Sequence, residues 1–555
     1  MSDEFRTTFA ANIFDNKFRM SPDETWANKA RLIVESVAGP IGRTGHALMP
    51  ESDRKQLAHY IAQFKFMPGG RYIYYAGREA RFYNNCYLLK AEEDTREEWA
   101  RLLGVSTSCL MSGGGIGCDY SVLRPRGYVL GKTGGLASGP IPLMYAVNEV
   151  GRNVMQGGSR RSAIYASLNW QHEDIPEFLQ AKNWHRVPVG NGGMTLSDAK
   201  AADFNYPAPL DMTNISLNYD DAWLNSSQRH KDETFIQNVR QAMATGEPGF
   251  SFNFGEKQNE TLRNACTEVT SEDDSDVCNL GSVNFGAITS VDELRDVVDL
   301  ASKFLVCGTL RAELPYQKVY EVRDKNRRLG LGLMGLHEWL LKRQQPYQVT
   351  EELHEWLSVY EEQSEISAIE HCDRFFISRP VAFRAVAPTG TIGNLAATTT
   401  GIEPLYAVAY KRRFLTHGTH WKYQYVVDAV AQHMIDEYGL DPEEIETASD
   451  LAADPERRIR FQADVQSYVD MAISSTINLP EWGSEHNNED LVPKYAEMLS
   501  NYALDLRGFT CYPDGSRGGQ PISVVPYDEA VKNQNTVFEE SDICDISGKG
   551  GTCGG

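Results

Sequence analysis

Apolar positions between Pro22 and Val37 recur with helical spacing, and acidic residues fill the first turn, so this stretch predicts an amphipathic helix. Glu51 to Phe66 predicts a second, which makes residues 1–80 a small helical region. From Arg81 onward the texture changes. Short β-branched or aromatic runs, broken by Gly113-Gly114-Gly115, Gly134-Gly135 and Gly157-Gly158, alternate with helical stretches such as Ile141 to Val154. Alternating strand and helix signals predict an α/β domain with a mostly parallel sheet over residues 81–530. From Val531 the periodicity fades and the chain closes on Gly-Lys-Gly-Gly-Thr-Cys-Gly-Gly, so residues 531–555 are expected to form a flexible tail.

Composition narrows the classes. A chain of 555 residues with 41% hydrophobic content can bury a large core. Its 54 Lys and Arg against 76 Asp and Glu give a net charge of −22, which argues against wrapping a nucleic-acid backbone or docking on anionic lipid. Small nucleotide ligands stay compatible with it. The first residues show no basic stretch followed by an apolar run, and no run of about 18 apolar residues occurs, so no membrane span and a cytoplasmic location are expected. The ten cysteines are scattered without a Cys-x-x-Cys pair, so neither a secreted disulfide framework nor a zinc ribbon fits. They are core residues or redox groups.

The densest chemistry lies in Asn264-Ala265-Cys266-Thr267-Glu268. An extended backbone here would place Asn264, Cys266 and Glu268 on one face, because side chains two apart share a side of a strand. The three types form a hydrogen-abstraction set: a sulfur to carry a radical, a carboxylate to take a hydroxyl proton, an amide to hold a substrate. Cys278 follows twelve residues later, within a hairpin's reach. A free cysteine is ordinarily a small buried hydrophobe, and the spacing alone leaves both readings open. Farther on, Ala387-Pro388-Thr389-Gly390-Thr391-Ile392-Gly393 offers a turn with two hydroxyls, and a helix starting near Ile392 would turn its free N–H groups toward a phosphate.

These segments, with Thr398 to Pro404, resemble signatures of the ribonucleotide reductases. Other stretches match that family in order: Asn84-Asn85-Cys86-Tyr87, Gly113 to Gly117 followed by Leu123 to Gly127, Gln156 to Arg161, Met212 to Ser216, Asn326 to Gly335, and Arg507 to Tyr512. The resemblance covers nearly the whole chain and implies the site. Cys266 would be the thiyl radical that takes the 3′-hydrogen of a ribonucleotide substrate, Glu268 the acceptor of the 3′-OH proton, and Asn264 the hydroxyl's hydrogen-bond partner. Cys86 and Cys278 would reduce the sugar and end as a disulfide, which requires their Cα atoms to lie within about 7 Å. Cys544 and Cys553 on the tail would re-reduce that pair and pass electrons to a thioredoxin- or glutaredoxin-like reductant. Pro388, Thr389, Gly390, Thr391 and Ile392 would bind substrate phosphates, and Gly157, Gly158, Ser159, Arg160 and Arg161 would form the loop between substrate and effector. Cys109, Cys118, Cys307, Cys372 and Cys511 are assigned to packing.

Three radical sources occur in the family, and each leaves a trace. The two-subunit type relays the radical through paired tyrosines, whereas this chain has Cys511-Tyr512. The terminal Thr-Cys-Gly-Gly lacks a glycyl-radical loop, and Glu268 argues against that type too. The resemblance is therefore to the adenosylcobalamin-dependent class, with cobalt carried by the cofactor and no metal held by protein side chains. It implies a ten-stranded α/β barrel of two five-stranded halves with a central finger loop, a homodimer, and a deoxynucleotide effector near Leu123 to Ser138 and Gln156 to Ser162. An ATP-cone domain is not expected at the N-terminal side, nor is dATP shut-off through one. The alternatives are the large subunit of a two-subunit reductase, served by a separate metalloprotein, and a non-catalytic relative that only binds deoxynucleotides.

Overall fold

The computed structural model describes residues 4–41, 45–132, 134–154, 162–190, 192–203, 206–416, 420–516, 522–534 and 537–539. The helix expected from Pro22 begins at Trp26, because the Thr25 side chain accepts from Asn28 N–H at 3.2 Å and caps it there; it runs to Ala38. The second helix, Glu51–Ala62, is shorter than its apolar pattern suggested. Phe64 takes a left-handed conformation and Lys65 N–H returns to Tyr60 carbonyl at 2.9 Å, which ends the helix. The residues left over form the strand Phe66–Pro68, which pairs antiparallel with Gly281 to Val283 and ties the helical region to the barrel.

The strands Cys86–Lys90, Gly115–Asp119, Ile164–Asn169, Thr213–Tyr219 and Gly249–Phe252 run parallel as neighbours in that order. A second group begins with Asp276–Asn284, which pairs parallel with Leu329–Met334. Residues 383–386 continue it: Leu331 N–H bonds to Phe383 carbonyl at 3.1 Å on one side, and Val386 N–H to Ala472 carbonyl at 3.1 Å on the other. Thr476–Leu479 and Gly508–Pro513, again parallel, complete the group. The two halves meet antiparallel at both seams, Asp276–Asn284 against Cys86–Lys90 and Gly508–Pro513 against Gly249–Phe252, so the circuit closes into the expected barrel of two five-stranded halves. All nine residues of Asp276–Asn284 are buried, as befits a strand covered on both faces. Helices such as Val291–Arg311 and Glu351–Arg374 pack outside.

Beyond the barrel, Ile522–Val524, Ala409–Thr416, His420–Val427 and Val537–Glu539 form a four-stranded sheet. The helix Tyr527–Asn533 lies on it, with Ala530 packed against Ala409 and Val427. The expected tail boundary at residue 531 thus falls inside a helix. That helix buries a single residue, too little for an apolar period to stand out in sequence.

Candidate active site

Within the barrel lies a hairpin whose legs are Leu262–Arg263 and Thr270–Ser271. Two glycines make room for it. A Cβ on Gly117 would sit 1.7 Å from Arg263 carbonyl oxygen, and one on Gly115 would sit 3.2 Å from Ala265 Cβ. Only bare backbone on the strand Gly115–Asp119 lets the hairpin pass.

The stretch 264–268 is not the extended segment expected from alternation. It is the hairpin's tip, with a turn at 265–267 closed by Thr267 N–H to Asn264 carbonyl at 3.0 Å and Thr267 at φ 72°. A β-branched residue in left-handed backbone leaves no mark in sequence. The turn brings Asn264 and Glu268 together another way: Asn264 Oδ1 accepts from Val269 N–H at 2.9 Å. Asn264 Nδ2 reaches out to Cys86 Sγ at 3.1 Å. Cys86 in turn faces Cys278 as its direct antiparallel partner at the seam. Opposed residues of such a pair have Cα atoms about 4.5–5.5 Å apart, inside the reach of a disulfide. Asn264, Glu268, Cys86 and Cys278 are all buried, while Cys266 at the turn is half-buried.

The electrostatics suit proton and hydrogen transfer. Burial pushes the Glu268 carboxyl up to about 7, against smaller opposing effects of the Asn264 side chain and the residue's own backbone. Among the described residues its Oε2 has no hydrogen-bond partner, although Glu268 carbonyl is fixed by Ala472 N–H at 2.8 Å. A buried carboxylate oxygen left open is what a base awaiting a substrate hydroxyl needs. Burial also raises the Cys278 thiol well above its usual range, with the charges of Asp276 and Glu268 adding to it. The Cys278 thiol is therefore held protonated, ready to donate.

The segment Pro388 to Ile392 follows the strand 383–386 and leaves the barrel at the end where the tip lies, since Ala472 bonds both Val386 and Glu268. The helix there begins at Gly390 rather than near Ile392 and runs to Ala396. Thr389 hydroxyl accepts from Gly401 N–H at 2.7 Å, so it fastens this turn to the Thr398–Pro404 loop instead of standing free. Gly390 is exposed, Thr391 half-buried and Ile392 buried. Gly157, Gly158, Ser159, Arg160 and Arg161, and likewise Cys544 and Cys553, lie outside the described residues. Cys109, Cys118, Cys307, Cys372 and Cys511 are buried, as packing requires.

Motif reading passed over a charged cluster at the hairpin's base: Glu260, Arg263, Arg328 and Arg507. Two of these arginines sat inside quoted motifs, Asn326 to Gly335 and Arg507 to Tyr512, without a role. Three arginines and one glutamate spread over 250 positions give no local pattern, and only the fold assembles them.

Comparison with known proteins agrees with this geometry. Residues 84–363 and 379–512 match the family profile described as ribonucleotide reductase, barrel domain. A vitamin B12-dependent ribonucleoside-diphosphate reductase of Mycobacterium tuberculosis is 26% identical over 88% of this chain and 75% of that protein. A putative adenosylcobalamin-dependent ribonucleoside-triphosphate reductase of Mycobacterium phage D29 is 25% identical over 75% of this chain and 67% of that protein. Among solved structures, the Actinobacillus ureae class Id ribonucleotide reductase alpha subunit superposes with a TM-score of 0.68 at 16% identity, covering 92% of this chain and 98% of that one.

Proposed function

The chain belongs to the ribonucleotide reductase family, and from that premise we propose that it reduces ribonucleotides through a thiyl radical on Cys266, generated with adenosylcobalamin. The observation that carries the reading is the contact of the hairpin tip with the seam thiols, Asn264 Nδ2 to Cys86 Sγ at 3.1 Å with Cys86 directly opposite Cys278. A sensor that only bound deoxynucleotides would have no use for a thiol at the tip above a second pair.

Cys266 as thiyl takes the hydrogen atom from C3′, forming S–H and leaving a carbon radical. Glu268 removes the 3′-OH proton, and Asn264 holds that hydroxyl. The 2′-OH departs as water with a proton from the Cys86–Cys278 pair. Two electrons and the second thiol proton reduce C2′, the two sulfurs join as a disulfide, Cys266 returns the hydrogen atom to C3′, and Glu268 returns its proton to the 3′-oxygen. The balance is one ribose hydroxyl and two thiols in, one deoxyribose, one water and one disulfide out. Adenosylcobalamin, when bound with Cys266 facing it, would supply the hydrogen-atom abstraction that makes this thiol a thiyl.

The residues present fit that cofactor. Cys266 is half-buried while Asn264, Glu268, Cys86 and Cys278 are buried, so of these groups it is the one open to a bound cofactor. The two-subunit alternative is disfavoured by Cys511, whose thiol donates to Ala242 carbonyl at 3.4 Å and packs away from the half-buried Tyr512. A tyrosine relay lacks its second ring there.

The remaining readings rest on resemblance. Pro388 to Ile392 bind the substrate's phosphates, Gly157 to Arg161 link substrate to a deoxynucleotide effector, and Cys544 with Cys553 carry electrons from a thioredoxin-like protein. The exposed Tyr128, Val129 and Leu136, within the expected effector segment Leu123 to Ser138, favour a homodimer through that face. Among the described residues no helix is long and apolar enough to cross a membrane. The test is purified protein with adenosylcobalamin, dithiothreitol and either a ribonucleoside di- or triphosphate, with no second protein present. Deoxynucleotide is expected; activity only on adding a metalloprotein would overturn the cofactor assignment.

A further inference from the structure

The hairpin that presents Cys266 is held at its tip, where Asn214 Nδ2 donates to Ala265 carbonyl at 3.0 Å and Ala472 N–H to Glu268 carbonyl at 2.8 Å, and again at its base. Glu260, just before the first leg, accepts with Oε2 from Thr270 Oγ1 of the return leg at 2.7 Å and from Arg507 Nη2 at 2.9 Å. Its Oε1 lies 3.8 Å from Arg328 Nη1. Arg507 leads into the strand Gly508–Pro513 and Arg328 into Leu329–Met334, so one carboxylate joins both legs of the hairpin to two separate strands of the barrel's second half. Arg263, on the first leg and fully buried, donates to Glu260 carbonyl at 2.5 Å, Asn253 Oδ1 at 2.7 Å and Arg507 carbonyl at 3.1 Å. Arg328 is held from behind by Asp276 Oδ2 at 2.7 Å, on the strand that carries Cys278.

We propose that Glu260 is a positioning residue that sets how far the hairpin reaches into the barrel, and hence where the Cys266 sulfur meets the sugar. The proposal rests on Cys266 being the reacting thiol. Arg507 and Arg328 share the Glu260 carboxylate at the hairpin's base while Arg263 holds its backbone carbonyl, and without that charge the repulsion of Arg507 by Arg263 and Arg328 is less compensated where the legs meet the barrel. Burial alone would raise the Glu260 carboxyl, yet Arg507 and then Arg328 hold it down at about 2, so it stays ionised wherever the protein is folded. The legs span only two residues each, so a shift at the base loads the bonds that hold Ala265 and Glu268 on either side of Cys266. Hydrogen transfer is steep in distance, and an error of about 1 Å in a near-attack geometry costs about 100-fold in rate.

The experiment compares the whole protein with Glu260→Gln and Thr270→Val, reading kcat and KM for ribonucleotide and, without cofactor or substrate, the alkylation rate of each cysteine by iodoacetamide from peptide mass maps. Expected are a kcat lowered by about 100-fold for Glu260→Gln with KM unchanged, and a smaller loss for Thr270→Val in the same sense. The alkylation rate of Cys266 alone should change, with Cys86 and Cys278 still protected. Unchanged Cys266 alkylation and unchanged kcat in both variants would overturn the proposal. So would a Thr270→Val protein whose losses come with every buried thiol becoming reactive, since that is unfolding rather than displacement. The alkylation readout needs no turnover, so it separates failure of this inference from failure of the reductase reading.

Discussion

Cys278 stands directly opposite Cys86 across the antiparallel seam that joins the two barrel halves. Neither half of the barrel owns this pair. Each thiol comes from the first strand of its own half, and the pair exists because the barrel closes there.

With Cys544 and Cys553 both replaced by Ser, turnover with no external dithiol should therefore stop after about one product per chain and leave a Cys86–Cys278 disulfide, since opposed antiparallel residues lie within bonding range. Peptide mapping after rapid alkylation checks it. A burst with both thiols still free, or with Cys109 or Cys118 oxidised instead, would remove the pair from the mechanism.

The pH profile should report Glu268. With its carboxyl pushed up to about 7 by burial, the ionised base is scarce in acid, so kcat should rise tenfold per pH unit below about 7 and level off above it. Glu268→Gln should flatten the profile and lower kcat by about 100-fold or more. A wild-type profile flat from pH 5 to 8 would argue against Glu268 as the base.

The same shift makes a stability statement of opposite sense. A carboxyl whose folded pKa is raised from 4.5 to about 7 contributes stability that is full below 4.5 and is lost as pH climbs through 7. At pH 8 the buried charge costs on the order of 3 kcal/mol. Glu268→Gln should then unfold at higher denaturant than wild type at pH 8 and show little difference at pH 4.5. A less stable variant at pH 8 would mean that the carboxylate has a partner not accounted for.

Much of the site was legible before the fold. Asn264, Cys266, Glu268, Cys86 and Cys278 were picked out by resemblance to family motifs, which also implied the barrel, while the alternation of strand and helix signals pointed only to an α/β domain with a mostly parallel sheet. The alternation rule brought Asn264 and Glu268 to one place by a wrong route, since the segment is a turn and Asn264 does the joining through Val269 N–H. Two things were hidden for physical reasons. Thr389 could not be seen to spend its hydroxyl on Gly401, and the charges around Glu260 come from segments far apart in the chain.

Gly117 should tolerate no side chain. A Cβ there would lie 1.7 Å from Arg263 carbonyl oxygen, so Gly117→Ala must displace the hairpin or the strand, at a cost of about 1–3 kcal/mol or more. Gly115→Ala, whose Cβ would meet Ala265 Cβ at 3.2 Å, should be milder in denaturant melts and still impair turnover. Equal and negligible effects at both positions would mean that the hairpin is not threaded against this strand.

The central claim is that the Cys266 sulfur removes the hydrogen from C3′. Its most direct test is Cys266→Ser, assayed with adenosylcobalamin, dithiothreitol and ribonucleotide, with nucleotide binding measured in parallel by equilibrium dialysis. No deoxynucleotide with binding unchanged is the predicted result, whereas deoxynucleotide formed by the serine variant at a rate near wild type would contradict it.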